Sequence, residues 1–107
     1  MPAMPDNGDI QLDKMRAAAG EASLLLRSLG NQDRLLLLCQ LCEEELCVGD
    51  LEERLDIRQP SLSQQLGVLR REGLVTTRRE GKRVYYRVAD PKVLTLLQTL
   101  YQLYCAE

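Results

Sequence analysis

The reactive element on offer is sulfur: thiols stand at Cys39, Cys42, Cys47 and Cys105, and histidine is absent. A thiolate can ligate a soft metal or attack a sulfur or oxygen electrophile; kept protonated, it fills apolar space. Without histidine, zinc sites of the mixed type cannot form, so a tetrahedral centre would need Cys39, Cys42, Cys47 and Cys105 all to converge. Cys39 and Cys42 have a two-ligand spacing, but they fall within a helical pattern rather than on a knuckle turn. Soft thiophilic metals or As(III) would suit such ligands better than zinc. The stretch ELCVGDL (45–51) carries the first half of a Cys-x-Cys pair at Cys47, with Gly49 where the second half would stand. Redox chemistry asks for less: two thiols that reach one another and water. Packing is the competing role. It fits Cys39 on an apolar helix face, and packing or an incidental surface position is the favoured reading of Cys42 and Cys47. No Gly-rich phosphate loop and no nucleophile–base pair accompanies the thiols, so an enzyme is not expected, and no cofactor is called for.

The elements that position these thiols follow from periodicity. Residues 1–11 are polar and Pro-rich and read as a tail; residues 12–107 read as one domain. Leu12, Met15, Ala19, Ala22, Leu26 and Leu29 recur in steps of three and four, a heptad seam suited to another helix. A second helix starts near Asn31, with Leu35, Leu38, Cys39 and Cys42 on one face, and ends near the EEE at 43–45. Val48 to Leu55 reads as a short helix with Val48, Leu51 and Leu55 inward. DIRQP is a turn, and Pro60 opens a helix that runs to about Glu72 with Leu62, Leu66 and Leu69 inward. Gly73 stops it. LVTTRRE and RVYYRVA alternate about a GK turn, a hairpin signal. Asp90 and Pro91 then open a last helix whose apolar residues cover more than one face. The expected fold is mainly α with a small β-hairpin, in the order α-α-α-α-β-β-α: a winged helix-turn-helix. The heptad seam and the over-apolar last helix together predict a homodimer through the first and last helices.

Charge points to the partner. The net charge is −2, but residues 57–88 hold eight Lys/Arg against Glu72 and Glu80, making that segment +6 and the remainder −8. A concentrated basic stripe can bind phosphates while an acidic remainder faces away. Gln59, Ser61, Gln64 and Gln65 are expected at base edges, and Ser63 at phosphate or backbone. Arg78, Arg79, Lys82 and Arg83 are the wing and phosphate candidates. No signal peptide and no apolar run of membrane-spanning length is present, so the expected location is the cytoplasm, where thiols are normally reduced.

The segment VGDLEERLDIRQPSLSQQLGVLRREGLVTTRREGKRVYYRV resembles the ArsR/SmtB family of bacterial winged-helix repressors, most strongly in QPSLSQQLGVLRREGLV. The similarity spans about residues 20–105. It implies a dimeric repressor that leaves double-stranded operator DNA when an inducer arrives. Within the family, RLLLLC and LYC resemble the settings of two cysteines in the branch that senses persulfides and other reactive sulfur, the BigR and SqrR type. That resemblance implies a redox-sensing pair at Cys39 and Cys105, a persulfide or polysulfide inducer, and no membrane partner. Cys42 and Cys47 depart from the branch's pattern and leave open a thiolate metal site or another redox pair.

Overall fold

A computed structural model describes residues 9–106, with side chains from residue 11. The chain divides into two compact units, residues 1–30 and 31–107. In the first, helix α1 spans Asp9–Leu29. It begins inside the stretch read as a tail; residues 1–8 of that stretch lie outside the described residues. Of its heptad seam, Leu12, Met15, Ala19, Ala22 and Leu26 are exposed.

The second unit opens with α2 (Gln32–Glu43). Asn31 caps it, its side chain accepting from the Arg34 N–H at 3.1 Å. The buried face is Leu37, Leu38 and Leu41. This corrects the expected face of Leu35, Leu38, Cys39 and Cys42. Four consecutive leucines, Leu35 to Leu38, point in every direction around the helix, so their pattern admits either register. The result places Cys39 in solvent rather than in the core.

The chain then forms β1 (Leu46–Cys47), a strand the expected order lacked. Two residues are too few to show alternation. β1 is fixed instead by pairing, Leu46 opposite Tyr86 and Cys47 opposite Tyr85. Helix α3 (Val48–Leu55) follows and stops at Asp56, which adopts φ 54° and donates its N–H to the Glu52 carbonyl at 3.1 Å. Helix α4 (Ser61–Arg71) buries Leu62, Leu66 and Leu69, as their spacing predicts. Its end is a Schellman turn: Gly73, at φ 75°, donates to the Arg70 carbonyl, and Leu74 donates to that of Leu69.

Strands β2 (Val75–Glu80) and β3 (Arg83–Val88) pair antiparallel across a two-residue turn at Gly81 and Lys82. Gly81 has φ 61°, suited to the first position of a type II′ turn. The sheet order is β1-β3-β2. Helix α5 (Pro91–Tyr104) is capped by Asp90, whose carboxylate accepts from the Lys92 N–H at 2.9 Å. The largest fully buried side chains of this unit are Leu37, Leu38, Leu51, Leu62, Leu66, Leu69 and Val93. Each fully buried aliphatic side chain contributes about 1.5–3 kcal/mol. The observed order, α-α-β-α-α-β-β-α, is that of a winged helix-turn-helix with a third short strand.

Candidate functional site

Helix α4 presents one face to the core and the opposite face to solvent. At 100° per residue, Gln64 and Arg71 stand opposite the Leu62–Leu66–Leu69 stripe, with Gly67 between them. Gln64 and Ser63 are exposed and Ser61 is half-buried. Two of the expected base-edge residues have other work. Gln65 turns inward and accepts from Arg34 Nη1 of α2 at 3.0 Å. Gln59 accepts from the Ser63 N–H at 3.2 Å, capping the first turn of α4, and donates to Glu52 at 3.4 Å. Arg71 was not among the expected contacts, although it lies seven residues from Gln64 and therefore on the same face. A Cβ built on Gly67 would sit 3.3 Å from Arg71 Nη1, so the guanidinium lies back over the glycine.

On the wing, Arg78 is held rather than free. It donates to Glu45 at 2.7 Å and to Glu80 at 2.8 Å, and it stands 4.8 Å from the centre of the Tyr85 ring. These partners hold its guanidinium firmly protonated, Glu80 and then Glu45 being the main causes. Glu45 lies 33 residues away in sequence, so no local pattern announces the pair. Arg79, Lys82 and Arg83 stand exposed around the hairpin tip. A hydrogen bond to Tyr85 raises the pKa of Arg83.

The thiols fall into two groups. Cys39 is exposed and Cys42 is half-buried, and both line an open cleft of about 260 Å³ between α2 and α5, with Leu97, Gln98 and Tyr101 on its far wall. Cys105 ends α5; its N–H donates to the Tyr101 carbonyl at 2.8 Å, and its thiol is exposed. Burial raises the pKa of Cys39, and the neighbouring charge of Cys105 raises it further. The two thiols expected to pair are therefore within electrostatic reach of one another. Cys42 is pushed up to about 11, by burial first and then by Cys39 and Glu43.

Cys47 is apart from this group. Its buried thiol donates to Asp50 Oδ2 at 3.2 Å, and its N–H donates to the same oxygen at 3.3 Å, closing the first turn of α3. Both bonds hold the Asp50 carboxyl below the usual carboxylate range. The four-thiolate alternative of Cys39, Cys42, Cys47 and Cys105 is thus not assembled. Among the described residues, no three His, Cys, Asp or Glu side chains converge to hold a metal. The signal for Asp50 was available: an acid three residues after the position preceding a helix is a capping pattern.

Comparison with known proteins gives the family and the fold. Residues 31–77 match the family described as bacterial regulatory protein, arsR family. The chain is 50% identical over 101 residues to the biofilm growth-associated repressor of Agrobacterium fabrum, covering 94% of this chain and 86% of that protein. It is similar in structure to the transcriptional repressor BigR from Xylella fastidiosa, with 45% identity, a TM-score of 0.83, and coverage of 89% of this chain and 97% of that one. It also resembles reduced HlyU from Vibrio cholerae, with 41% identity, a TM-score of 0.82, and coverage of 86% and 97%.

Proposed function

The chain belongs to the arsR family of bacterial regulatory proteins, and we propose that it is a cytoplasmic, dithiol-controlled transcriptional repressor released from operator DNA by persulfides. The observation that supports the proposal is that two exposed thiols, Cys39 on α2 and Cys105 at the end of α5, lie within electrostatic reach of one another. HlyU of Vibrio cholerae, a structural relative, has been solved in a form described as reduced, which supports a reading in which the redox state matters. A homodimer through α1 and α5 completes the reading. Its support is the exposed apolar surface on each helix taken separately: Leu12, Leu24 and Leu26 on α1, and Tyr101, Leu103 and Tyr104 on α5.

In this scheme Gln64, Ser61 and Ser63 enter the major groove with α4, and Arg79, Lys82 and Arg83 neutralise phosphates beside it. Gln59 and Gln65 set the position of α4, and Arg78 stiffens the wing. Two persulfide molecules each hand one sulfur to Cys39 or Cys105 and leave as thiols. A third accepts the electron pair released when the two protein persulfides join, leaving as a thiol plus hydrogen sulfide. The product is a four-sulfur bridge between α2 and α5. A plain disulfide needs Cα atoms within about 7 Å, whereas the longer chain spans a wider gap. Movement of α5 then changes the spacing of two recognition helices that must meet grooves about 34 Å apart.

The test is intact mass and DNA affinity of the reduced protein before and after glutathione persulfide. A gain of two sulfurs less two hydrogens, accompanied by loss of binding, is expected. Both effects should vanish in Cys39→Ser and Cys105→Ser. Release of DNA by the Cys39→Ser protein as by wild type would refute the scheme.

A further inference from the structure

Cys42 has no part in that scheme, yet it lines the same cleft as Cys39. The two are three residues apart on α2, one turn from each other on the same side of the helix. Their thiols lie close enough that the charge of Cys39 raises the pKa of Cys42. Helix neighbours at this spacing have Cβ atoms about 5–6 Å apart. A disulfide brings them to about 3.5–4.5 Å. The helix must therefore give by an ångström or two, and it can give there. Cys42 belongs to the last turn of α2, whose carbonyls lack helical partners, and the chain is already extended at Glu44 (φ −161°, ψ 160°).

We propose that Cys42 gives Cys39 a second partner, so that hydroperoxides, which deliver no sulfur, yield a Cys39–Cys42 disulfide within α2 and leave α5 unlinked. The sensing pair would thus distinguish a sulfur donor from an oxygen donor by which thiol resolves the first adduct. The Cys39 thiolate attacks the O–O bond, becoming a sulfenic acid and releasing the alcohol or water. The Cys42 sulfur then attacks the sulfenic sulfur and expels water. Overall, two thiols and one hydroperoxide give one disulfide, one alcohol and one water. Burial raises the pKa of both thiols, but Cys39 is exposed and Cys42 half-buried and pushed up to about 11, so Cys39 meets the hydroperoxide first and Cys42 resolves the adduct beside it. This inference rests on the dithiol reading above and concerns the regulation of the same site.

The experiment treats the full-length reduced protein with hydrogen peroxide, and separately with glutathione persulfide, then maps disulfides by peptide mass spectrometry and measures DNA affinity. Peroxide should remove two hydrogens, map to Cys39–Cys42, and leave DNA affinity within about twofold of the reduced protein. In Cys42→Ser that product should vanish, while the persulfide product at Cys39 and Cys105 persists. A peroxide-treated wild type that links Cys39 to Cys105, or that leaves Cys42 as a free thiol, overturns the inference. A persulfide arm that adds no sulfur, with Cys39–Cys42 still formed by peroxide, overturns the sulfur-sensing scheme and not the second pairing.

Discussion

Replacing Gln64 and Gln65 by alanine, one at a time, separates reading DNA from holding the reader in place. Gln65 accepts a half-buried hydrogen bond of 3.0 Å from Arg34 Nη1. Hydrogen bonds to charged groups are worth about 1.5–3 kcal/mol when well shielded, and partial exposure here reduces that to about 1 kcal/mol. For a domain of this size, about 1 kcal/mol corresponds to a Tm lower by roughly 4–8 °C. Gln64 has no such bond and faces away from the core, so Gln64→Ala should leave Tm within a degree or two. A bidentate glutamine–adenine contact is worth about 1–3 kcal/mol, so its loss weakens binding to a selected duplex by roughly 5- to 150-fold and relaxes preference at one base pair. Thermal melts at one fixed protein concentration, with fluorescence anisotropy on the selected duplex and single-base variants, read both quantities. If Gln65→Ala flattens the base preference while leaving Tm unchanged, the facing assigned to α4 is wrong.

On the wing, Arg79→Ala or Lys82→Ala should lower the magnitude of the slope of log Kobs against log salt by about 0.9 each. Arg78→Ala should lower it less, because Glu45 and Glu80 already neutralise that guanidinium. In α2, Leu37→Ala should cost about 2–5 kcal/mol in urea unfolding, since Leu37 is 0% exposed. Cys39→Ser, on the exposed face, should change stability by no more than about 0.5 kcal/mol. Gly67→Ala should raise helix stability by up to about 1 kcal/mol, because the Arg71 guanidinium, 3.3 Å from the added Cβ, need give by only a few tenths of an ångström; a lower Tm would contradict it. The Cys42 thiolate becomes more abundant as pH rises toward its pKa of about 11. Alkylation of Cys42 in the protein with all four cysteines, followed by peptide mass spectrometry, should therefore quicken about tenfold per pH unit between pH 7 and 10 and level off only above that; a plateau near pH 8.5 would contradict it.

Elements whose signals are local were legible in the sequence. Asp90-Pro91 marks the start of α5, Gly73 the end of α4, and Gly81-Lys82 the hairpin turn, because each is a backbone demand met by one or two residue types. The leucines of α4 were legible because Leu62, Leu66 and Leu69 are separated by polar residues. The leucines of α2 were not, because a run of four fills all directions and leaves the register to tertiary packing. Strand β1 was not legible for a related reason: it exists through its pairing with Tyr85 and Tyr86, some forty residues later. At the candidate site, residue type pointed to α4, but it could not separate Gln64 from Gln65. A glutamine suits a base edge and an arginine partner equally well, and only the position of Arg34 decides.

Arg34 also bears on how a signal could travel. Helix α2 touches α5 on one side and α4 on another, and it carries both Cys39 and Arg34. In the proposed dimer, a bridge between Cys39 and Cys105 would therefore have two routes to α4. One runs through α2 itself, by displacing Arg34 and with it Gln65. The other bypasses α2 and acts through α5 on the spacing between subunits. Gln65→Ala severs the hydrogen bond on the first route and leaves the second intact. If persulfide treatment lowers DNA affinity by the same factor in Gln65→Ala as in wild type, subunit spacing transmits the signal. If the factor shrinks, the hydrogen bond between α2 and α4 carries part of the coupling, as a difference of affinities between two thiol states.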